Sequence, residues 1–454
     1  MNWPQLLCPD RLRKTTKQPE EKRSEIQRDY GRVAFSTPVR RLQDKAQVFP
    51  LETIDAVRTR LTHSMEVSSV ARGVAHSVAT KLAQKQIITA EQAYDIETIA
   101  ATVGLIHDIG NPPFGHAGEL AIQDWFKKKP EDFWAFAKPR FRTDLENFEG
   151  NAQTLRLLTK LQILSDRHGL NLTYATLSAA TKYTASAEEI GSGNGRQSKR
   201  KLGFFSSEEP IIIDVREKTG TKDARNPITF LVEASDDMVY SVVDVEDGIK
   251  KGAVSWAEVK EVLSEHREEV GEEMFKDCVE GAESYIGRSS LKPQGRTRDE
   301  YISQYFRTVA IGKAADAVEI AFFANYDAIM EGTYDKELLY DSGAKGLYEV
   351  LKKHVNFPRI YNTKETLRLE VLGRNVIQSL LDIFWQAEPG TRTKTFPQKI
   401  YHLLSQNYRT VFQNPTEEEK LLPVEYRRAL LVTDYICGMT DSFALNLHQE
   451  LQHG

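Results

Sequence analysis

The chain has 454 residues, a formal net charge of −5 and 28% charged residues. This length allows a large hydrophobic core and two or three domains, and the charge argues against a generally basic surface that coats nucleic acid. A run of about 18 apolar residues and a secretory signal are both missing from the sequence, so we expect a soluble cytoplasmic protein without a membrane segment. Its three cysteines lack the short spacing of a disulfide or zinc motif, and we interpret them as structural.

The N-terminal segment from Asp10 to Arg28 is polar and highly charged. This composition predicts an extended arm that is ordered only against a partner subunit or the chain's own core. From about Ser36 to Asp247 most segments have helical periodicity, and polar breaks divide the rest into further helical blocks. We predict an all-α fold and one structural unit, with an arm and the start of the core over residues 1–54, a metal-binding core over 55–250 and a packed C-terminal helical region over 251–454.

Two local exceptions to the helical pattern are expected. The glycine-rich and basic stretch from Ala185 to Arg200 predicts a flexible loop. Beyond it, Ile211 to Ile213 has the composition of a short strand and Thr219 to Lys222 that of a turn. We therefore expect one small β-hairpin in an otherwise helical fold.

A histidine and an aspartate follow each other where a predicted helix ends. The apolar run from Thr98 to Ile109 contains His107 and Asp108, and Gly110 and two prolines follow at once. Glycine and proline stop helices, so both side chains are expected to extend beyond the helix end. Upstream, His63 lies near the start of another amphipathic helix.

A third predicted helix carries acidic residues along one face. Asp236, Tyr240 and Asp244 are spaced by four residues, which places two carboxylates and a phenol on the same side. Asp237 is the alternative to Asp236 as a ligand that the sequence leaves open. Two imidazoles and two carboxylates form a mixed nitrogen and oxygen set, which suits one Mn²⁺, Fe²⁺ or Mg²⁺ ion with open positions for water and phosphate oxygens.

The order His63, His107-Asp108, Asp236 resembles the motif of the HD-domain phosphohydrolase superfamily. The similarity is closest to the deoxyguanosine triphosphate triphosphohydrolase family, and five blocks from about residue 28 to 444 carry it. These blocks are Arg40–Phe49, Thr59–Ser64, His107–His116, Phe148–Thr154 and Asp434–Asp441. The resemblance implies an HD-domain helical core with a C-terminal elaboration, and His63, His107, Asp108 and Asp236 as its metal ligands.

Proton handling is assigned to two residues beyond the metal motif. If Gly118 to Phe126 forms a helix, His116 and Glu119 lie one turn apart at its start, where a carboxylate can orient an imidazole. The residue pattern alone is also compatible with ordinary helix-start positions for both. The resemblance implies that His116 and Glu119 are the family's catalytic histidine and its acidic partner.

Substrate contacts follow mainly from the resemblance. Arg60, three residues before His63, is placed to grip phosphate oxygens with its guanidinium. Lys201 matches a family lysine that contacts the triphosphate. Gln47 matches a glutamine next to the ribose. Tyr240 and Asp244 match a tyrosine and an aspartate at the deoxyribose, where a packed ring excludes a 2′ hydroxyl.

The predicted function is hydrolysis of a deoxynucleoside triphosphate to deoxynucleoside and inorganic triphosphate, by a metal-dependent enzyme. One alternative is an HD-type enzyme that acts on another nucleotide phosphoester. Another is a protein that binds a nucleotide or single-stranded nucleic acid without turnover. The resemblance implies a homo-oligomer, either hexamer or tetramer, and leaves open the base preference and a nucleotide or single-stranded DNA effector.

Overall fold

The computed structural model describes residues 1–14, 22–51, 54–135, 137–162, 168–192, 195–288, 290–390 and 394–453. Most residues in these ranges are helical, with isolated two-residue bridges instead of a sheet, which confirms the predicted all-α class. Among the same residues, every helix is too short or too polar to cross a lipid bilayer.

The first half of the chain contains the long helices that surround the predicted ligands. Its α-helices are α1 (Trp3–Leu6), α2 (Glu25–Ala34), α3 (Thr37–Arg41), α4 (Arg60–Gln84), α5 (Ala90–Ile106), α6 (Gly115–Lys127), α7 (Pro139–Glu146), α8 (Gly150–Arg156), α9 (Tyr174–Ala179), α10 (Glu209–Thr219) and α11 (Pro227–Lys251). Short 3₁₀ turns cover Leu42–Asp44, Glu131–Trp134 and Gln197–Lys199, and a π-helical turn covers Leu157–Leu161.

The second half adds helices that pack against the first. These are α12 (Trp256–Glu265), α13 (Arg267–Val270), α14 (Glu272–Phe275), α15 (Gly281–Gly287), α16 (Gly295–Ala324), α17 (Tyr326–Glu331), α18 (Lys345–Val350), α19 (Lys364–Phe384), α20 (Phe396–Leu403), α21 (Gln406–Gln413), α22 (Glu417–Lys420), α23 (Val424–Cys437) and α24 (Asp441–His453). π-Helical segments cover Lys276–Glu280 and Leu351–Tyr361, and a 3₁₀ turn covers Leu339–Asp341.

Local signals fix the ends of the three helices that carry the predicted ligands. Thr59 and Thr89 cap α4 and α5, each accepting a hydrogen bond from the backbone N–H three residues later. Asn226 caps α11, which has a proline in its first turn and ends at Gly252 in the left-handed conformation. Caps of this kind satisfy N–H groups that a helix start leaves unpaired, so the helix register is well defined where the ligands lie.

Helix α11 lies at the centre of one hydrophobic core. It packs against α4, α5, α16 and the segment Leu351–Tyr361, and most of its residues are buried. A second core forms where α6 packs against α19 and where α19 packs against α23 and α24. Because both cores combine helices from the two halves of the chain, the C-terminal region is part of the scaffold of the site.

The expected β-hairpin is wrong. Ile211 to Ile213 lie inside α10, and Thr219 is the last residue of that helix. A proline in the first turn starts the helix, and Gly220 in the left-handed conformation ends it. Ile212 and Val215 are buried at helical spacing, so tertiary burial outweighs the β-propensity of an isoleucine run.

Two charged segments are more firmly held than their composition suggests. Arg11 is buried, and its guanidinium bonds the carboxylates of Glu25 and Asp29 at 2.7 Å each, so this part of the predicted arm lies on the chain's own core. In the predicted flexible loop, buried Lys199 lies 2.6 Å from the Asp223 carboxylate. Residues 15–21 of the arm and 193–194 of the loop lie outside the described residues.

A buried ion pair joins the two halves of the chain and provides a test of this scaffold. Arg156 contacts Asp434 through two hydrogen bonds of 2.8 and 2.7 Å, and both residues are buried. We predict that Asp434→Ala lowers the free energy of unfolding by about 3 kcal/mol, because it leaves a buried guanidinium with Glu208 as its remaining carboxylate. Urea unfolding of the variant and wild type measures the loss.

A surface pair is the matched control. Lys353 pairs with Glu349 at 2.9 Å and is mostly exposed, so Lys353→Ala should change stability little. Equal stability of Asp434→Ala and Lys353→Ala would show that the pair between the halves does not stabilise the fold.

Candidate metal centre and active site

Three segments of the fold bring two imidazoles and two carboxylates together. His63 lies near the start of α4, His107 and Asp108 follow the end of α5, and Asp236 lies in the middle of α11. Asp236 Oδ1 is 3.1 Å from His63 Nε2 and 3.5 Å from His107 Nε2, and His107 Nε2 is also 3.5 Å from Asp108 Oδ2. Side-chain ligand atoms of His63, His107 and Asp108 lie within 4.8 Å of one another, a spacing that one ion can bridge.

The hydrogen bonds of His107 leave one ring nitrogen available as a ligand. Its Nδ1 lies 2.7 Å from the Gly104 carbonyl oxygen, which requires that Nδ1 carries the proton and donates it. The buried Nε2 atom has no hydrogen-bond partner among the described residues, and neither has buried Nδ1 of His63. A backbone carbonyl that fixes the tautomer of a histidine is typical of metal-binding imidazoles.

Both carboxylates are held in the ionised form. Burial raises the pKa of Asp108, but the charges of Arg60 and His107 lower it by more. The net effect is a pKa below the usual value. The same opposition holds for Asp236, where burial is outweighed by His107 and His63 and the pKa falls well below its usual range. Ionised carboxylates beside an imidazole lone pair fit a divalent cation, and this donor set lacks the thiolates of a closed zinc site.

Arg60 lies at this site and contacts one of the predicted ligands. Its Nη1 donates a hydrogen bond to Asp108 Oδ2, and its Nε donates to the Ala46 carbonyl oxygen at 3.1 Å. Asn111 donates to the other oxygen of Asp108 at 2.7 Å. Arg60 and Asn111 together therefore orient the Asp108 carboxylate.

The neighbour of Asp236 has different surroundings. Asp237 is buried one residue further along α11, where burial raises its pKa well above the usual value despite the nearby Lys182. Among the four predicted ligands and this alternative, Asp236 is the α11 carboxylate that contacts both imidazoles.

His116 and Glu119 meet at the start of α6. His116 Nδ1 lies 3.6 Å from Glu119 Oε1, and the Glu119 side chain raises the pKa of the mostly exposed imidazole. Glu119 is buried, and its other oxygen accepts a hydrogen bond of 3.0 Å from the Gly150 N–H. Burial raises the pKa of Glu119, but His116, Lys201 and Gly150 lower it overall. An ionised carboxylate therefore faces the histidine.

Lys201 lies in the same cluster. Its Nζ atom is 2.8 Å from Glu149 Oε2 and 3.6 Å from Glu119 Oε1. Burial lowers the pKa of Lys201, whereas Glu119 and Glu149 raise it overall, so the ammonium stays charged. Its side chain is about one-third exposed, at 37%.

The predicted sugar contacts lie further along α11. The Tyr361 hydroxyl donates a hydrogen bond to Asp244 Oδ2, while buried Oδ1 has no hydrogen-bond partner among the described residues. Burial raises the pKa of Asp244 to about 8. Tyr240 is partly buried, with the Lys352 ammonium 5.8 Å from its ring centre. Gln47, which lies before α4, has a buried Oε1 atom with no hydrogen-bond partner in the part of the chain that the structure describes.

Some charged residues beside these groups were missed by sequence reasoning. Lys182 lines a cavity of about 80 Å³ together with His107, Asp108 and Asp236. Its ammonium lies 3.5 Å from the Glu233 carboxylate. No periodicity or spacing marks this lysine. Glu149 lies in the block Phe148–Thr154, one of those that carry the family resemblance. It is connected to the site through its contact with Lys201.

The C-terminal block holds the turn after the histidine motif in place. One Asp441 oxygen accepts a hydrogen bond from the Phe114 N–H and the other accepts one from the Ala46 N–H, both at 2.9 Å. Buried Lys45 donates to the carbonyl oxygens of Asn111 and Cys437 at 2.6 and 2.7 Å. The segment that contains Gln47 is thereby tied to the turn that follows the metal motif.

Comparison with known proteins identifies the domains of this chain and then its family. Residues 60–165 match the HD domain and residues 347–450 match the phosphohydrolase-associated domain. The chain is 36% identical over 471 residues to a deoxyguanosinetriphosphate triphosphohydrolase-like protein of Listeria monocytogenes, covering 99% of each chain. It is 34% identical over 477 residues to a deoxyguanosinetriphosphate triphosphohydrolase of Yersinia enterocolitica, covering 93% of this chain and 92% of the relative. The chain belongs to the deoxyguanosinetriphosphate triphosphohydrolase family of HD-domain proteins.

Proposed function

We propose that this chain is a metal-dependent deoxynucleoside triphosphate triphosphohydrolase, which releases a deoxynucleoside and inorganic triphosphate. The observation that carries the proposal is the ligand set, in which Asp236 Oδ1 lies 3.1 Å from His63 Nε2 and 3.5 Å from His107 Nε2. The His116–Glu119 pair supports it, as does the buried Asp244 oxygen that has no hydrogen-bond partner among the described residues. The names of the relatives in Listeria and Yersinia support the same reaction.

The proposed metal ligands are His63, His107, Asp108 and Asp236. A bound Mn²⁺, Mg²⁺ or Fe²⁺ ion would supply Lewis acidity toward a phosphate oxygen and a more acidic water. Arg60 and Asn111 hold Asp108 from its outer side, so the carboxylate keeps its orientation when phosphate approaches.

His116 is the proposed proton donor to the departing 5′ oxygen. Its Nδ1 side is turned to Glu119, so Nε2 is the nitrogen that can reach a substrate. An ionised Glu119 stabilises the imidazolium and so raises the pKa of His116. Departure of a 5′ alkoxide without a proton is unfavourable, which is why the reaction needs this group.

Three cations are proposed to bind the triphosphate. Arg60 lies at Asp108, Lys182 lines the cavity beside the ligands and Lys201 lies at Glu119. Their charges neutralise phosphate oxygens and position the reacting phosphorus. Each has a carboxylate partner in the structure, which holds its side chain in place where a triphosphate would bind.

The sugar is proposed to lie against Tyr240, Asp244 and Gln47. Asp244 Oδ1 and Gln47 Oε1 are buried oxygens without hydrogen-bond partners among the described residues, and a deoxyribose hydroxyl would pair with them. Leaving such an atom unpaired costs about 1 to 3 kcal/mol, so a matching hydroxyl contributes to specificity. Packing of the Tyr240 ring against C2′ would leave a ribose 2′ hydroxyl without room.

Assembly and location follow from family membership alone. We propose a cytoplasmic homo-oligomer, either hexamer or tetramer, and an effector site for a nucleotide or single-stranded DNA. Light scattering coupled to size-exclusion chromatography measures the oligomer, and turnover of one deoxynucleotide with and without a second one measures activation.

A product assay tests the function itself. The purified chain is incubated with Mn²⁺ and each of the four deoxynucleoside triphosphates, and products are resolved by ion-exchange chromatography. The proposal expects inorganic triphosphate and deoxynucleoside in equal amounts. Pyrophosphate or single phosphate would indicate a different phosphohydrolase, and absence of any product would indicate a nucleotide-binding protein.

Metal content provides a test of the ligand set. We predict that Asp236→Ala purifies without its divalent ion, because α11 then contributes no carboxylate between the two imidazoles. Elemental analysis by mass spectrometry measures the metal per chain. Asp237→Asn, altered at the next residue, is the control and should keep its metal. Full occupancy in Asp236→Ala would remove this residue from the ligand set.

Turnover of a His116 variant tests the proton donor. We predict that His116→Ala keeps the fold and the metal, since its side chain is 72% exposed, while kcat falls by about 10² to 10⁴, the usual share of a general acid. Steady-state kinetics with the substrate from the product assay measures the fall. Unchanged kcat would exclude His116 from proton transfer.

A further inference from the structure

One oxygen of Glu119 has two competing partners. His116 Nδ1 and Lys201 Nζ both lie 3.6 Å from Glu119 Oε1. The second oxygen is occupied by the Gly150 N–H. A short hydrogen bond from Lys201 to Oε1 would weaken the pairing of that oxygen with His116, because both cations approach the same acceptor.

The Lys201 ammonium is held back by a third carboxylate. Glu149 Oε2 lies 2.8 Å from Lys201 Nζ, while Glu149 Oε1 accepts a hydrogen bond of 2.8 Å from the Asn151 side chain. Glu149 is buried at the residue that precedes α8. Because both of its oxygens are engaged and its backbone is fixed at a helix start, Glu149 is a rigid partner for the lysine.

We infer that Glu149 is a positioning residue that keeps Lys201 off Glu119 and so reserves Glu119 for His116. This role rests on the proposed function in one respect, namely that His116 transfers the proton. The order His116, Glu119, Lys201, Glu149 forms a row of alternating charges in which each carboxylate has a defined partner. Neutralising Glu149 frees Lys201 to move onto Glu119 Oε1.

The charges that face this row fix the direction of the effect. Glu119 has the largest influence on the pKa of His116 and raises it, while Lys201 lowers it and Glu149 raises it. The Tyr183 ring lies 5.9 Å from Lys201 Nζ. The charge of Glu119 also contributes to a raised pKa of the buried Cys437 thiol. Loss of the Glu149 charge and approach of Lys201 to Glu119 both lower the pKa of His116.

Titration of His116 in the free protein is the direct test. Full-length protein labelled with ¹³C at histidine Cε1 is titrated by NMR, with His116→Gln to assign the signal. We expect Glu149→Gln to lower the His116 midpoint by about one pH unit. Glu149→Asp, which keeps the charge, should restore most of it. The descending limb of the kcat/KM–pH profile, which reports the free enzyme, should move to lower pH by a similar amount, since His116 acts in its protonated form.

A double variant separates positioning from loss of charge. In Glu149→Gln with Lys201→Met, no ammonium competes for Glu119, so the midpoint should return to the wild-type value or above. Lys201→Met alone should raise it. Glu209→Gln removes one negative charge outside the row, at the partner of Arg140, and should leave the midpoint unchanged.

Two results would overturn the inference. They are an unchanged His116 midpoint in Glu149→Gln, and a lowered midpoint that persists when Lys201 is also removed. If Glu149→Gln does not fold, as judged by circular dichroism, the Lys201→Met titration decides alone, and an unchanged midpoint there also overturns it. The NMR midpoints do not depend on the substrate, so failure of the product assay would leave this result interpretable.

Discussion

The pairing of ionised carboxylates with buried imidazoles is the interaction on which the centre of this molecule depends. Asp108 and Asp236 are held as anions where burial opposes their charge. Arg60 compensates Asp108, whereas Asp236 Oδ1 relies on two imidazole nitrogens at 3.1 and 3.5 Å. A divalent cation satisfies this set better than protons do, because it serves both carboxylates and both lone pairs together.

The geometry of these ligands requires a close approach between two backbone segments. A Cβ atom on Gly150 would lie 2.0 Å from Asn111 Oδ1, and a Cβ on Gly110 would lie 2.2 Å from the Gly150 carbonyl oxygen. The start of α8 can therefore press on the turn after Asp108. The Gly150 N–H also donates to Glu119, so one packing feature supports both the turn after Asp108 and the proposed His116–Glu119 pair.

Helical patterns in the sequence were sufficient to predict the elements that carry the ligands. His63, His107 and Asp236 lie on α4, α5 and α11 or at their ends, because strong periodicity and capping residues define those helices. The strand predicted at residues 211–213 is a helix in the structure. Three consecutive isoleucines have a high β-strand propensity, and the local sequence does not show that the fold buries one of them in a helix. Pro210 and Gly220 were the signals that favoured the helix.

Contacts that depend on the tertiary fold were beyond the reach of these patterns. Tyr361 meets Asp244 across 117 positions, at the end of a π-helical segment in the C-terminal region. Lys182 reaches the ligand cavity from the residues after α9, where no periodicity applies. Phosphate-binding groups often come from such irregular segments. The scaffold positions these segments, but their side chains do not have to fill the hydrophobic core.

Charge balance in the proposed site links the metal to the substrate. Arg60, Lys182 and Lys201 are each paired with a carboxylate, respectively Asp108, Glu233 and Glu149, so they offer little net positive charge to a triphosphate. A divalent ion on the four ligands changes this balance by two charges at the point where phosphate oxygens would approach. Electrostatic attraction to a polyanion then depends on the ion more than on the cations, which mainly provide geometry. In the proposed site, a divalent ion and a triphosphate would each favour binding of the other, because the ion would add positive charge where phosphate oxygens approach.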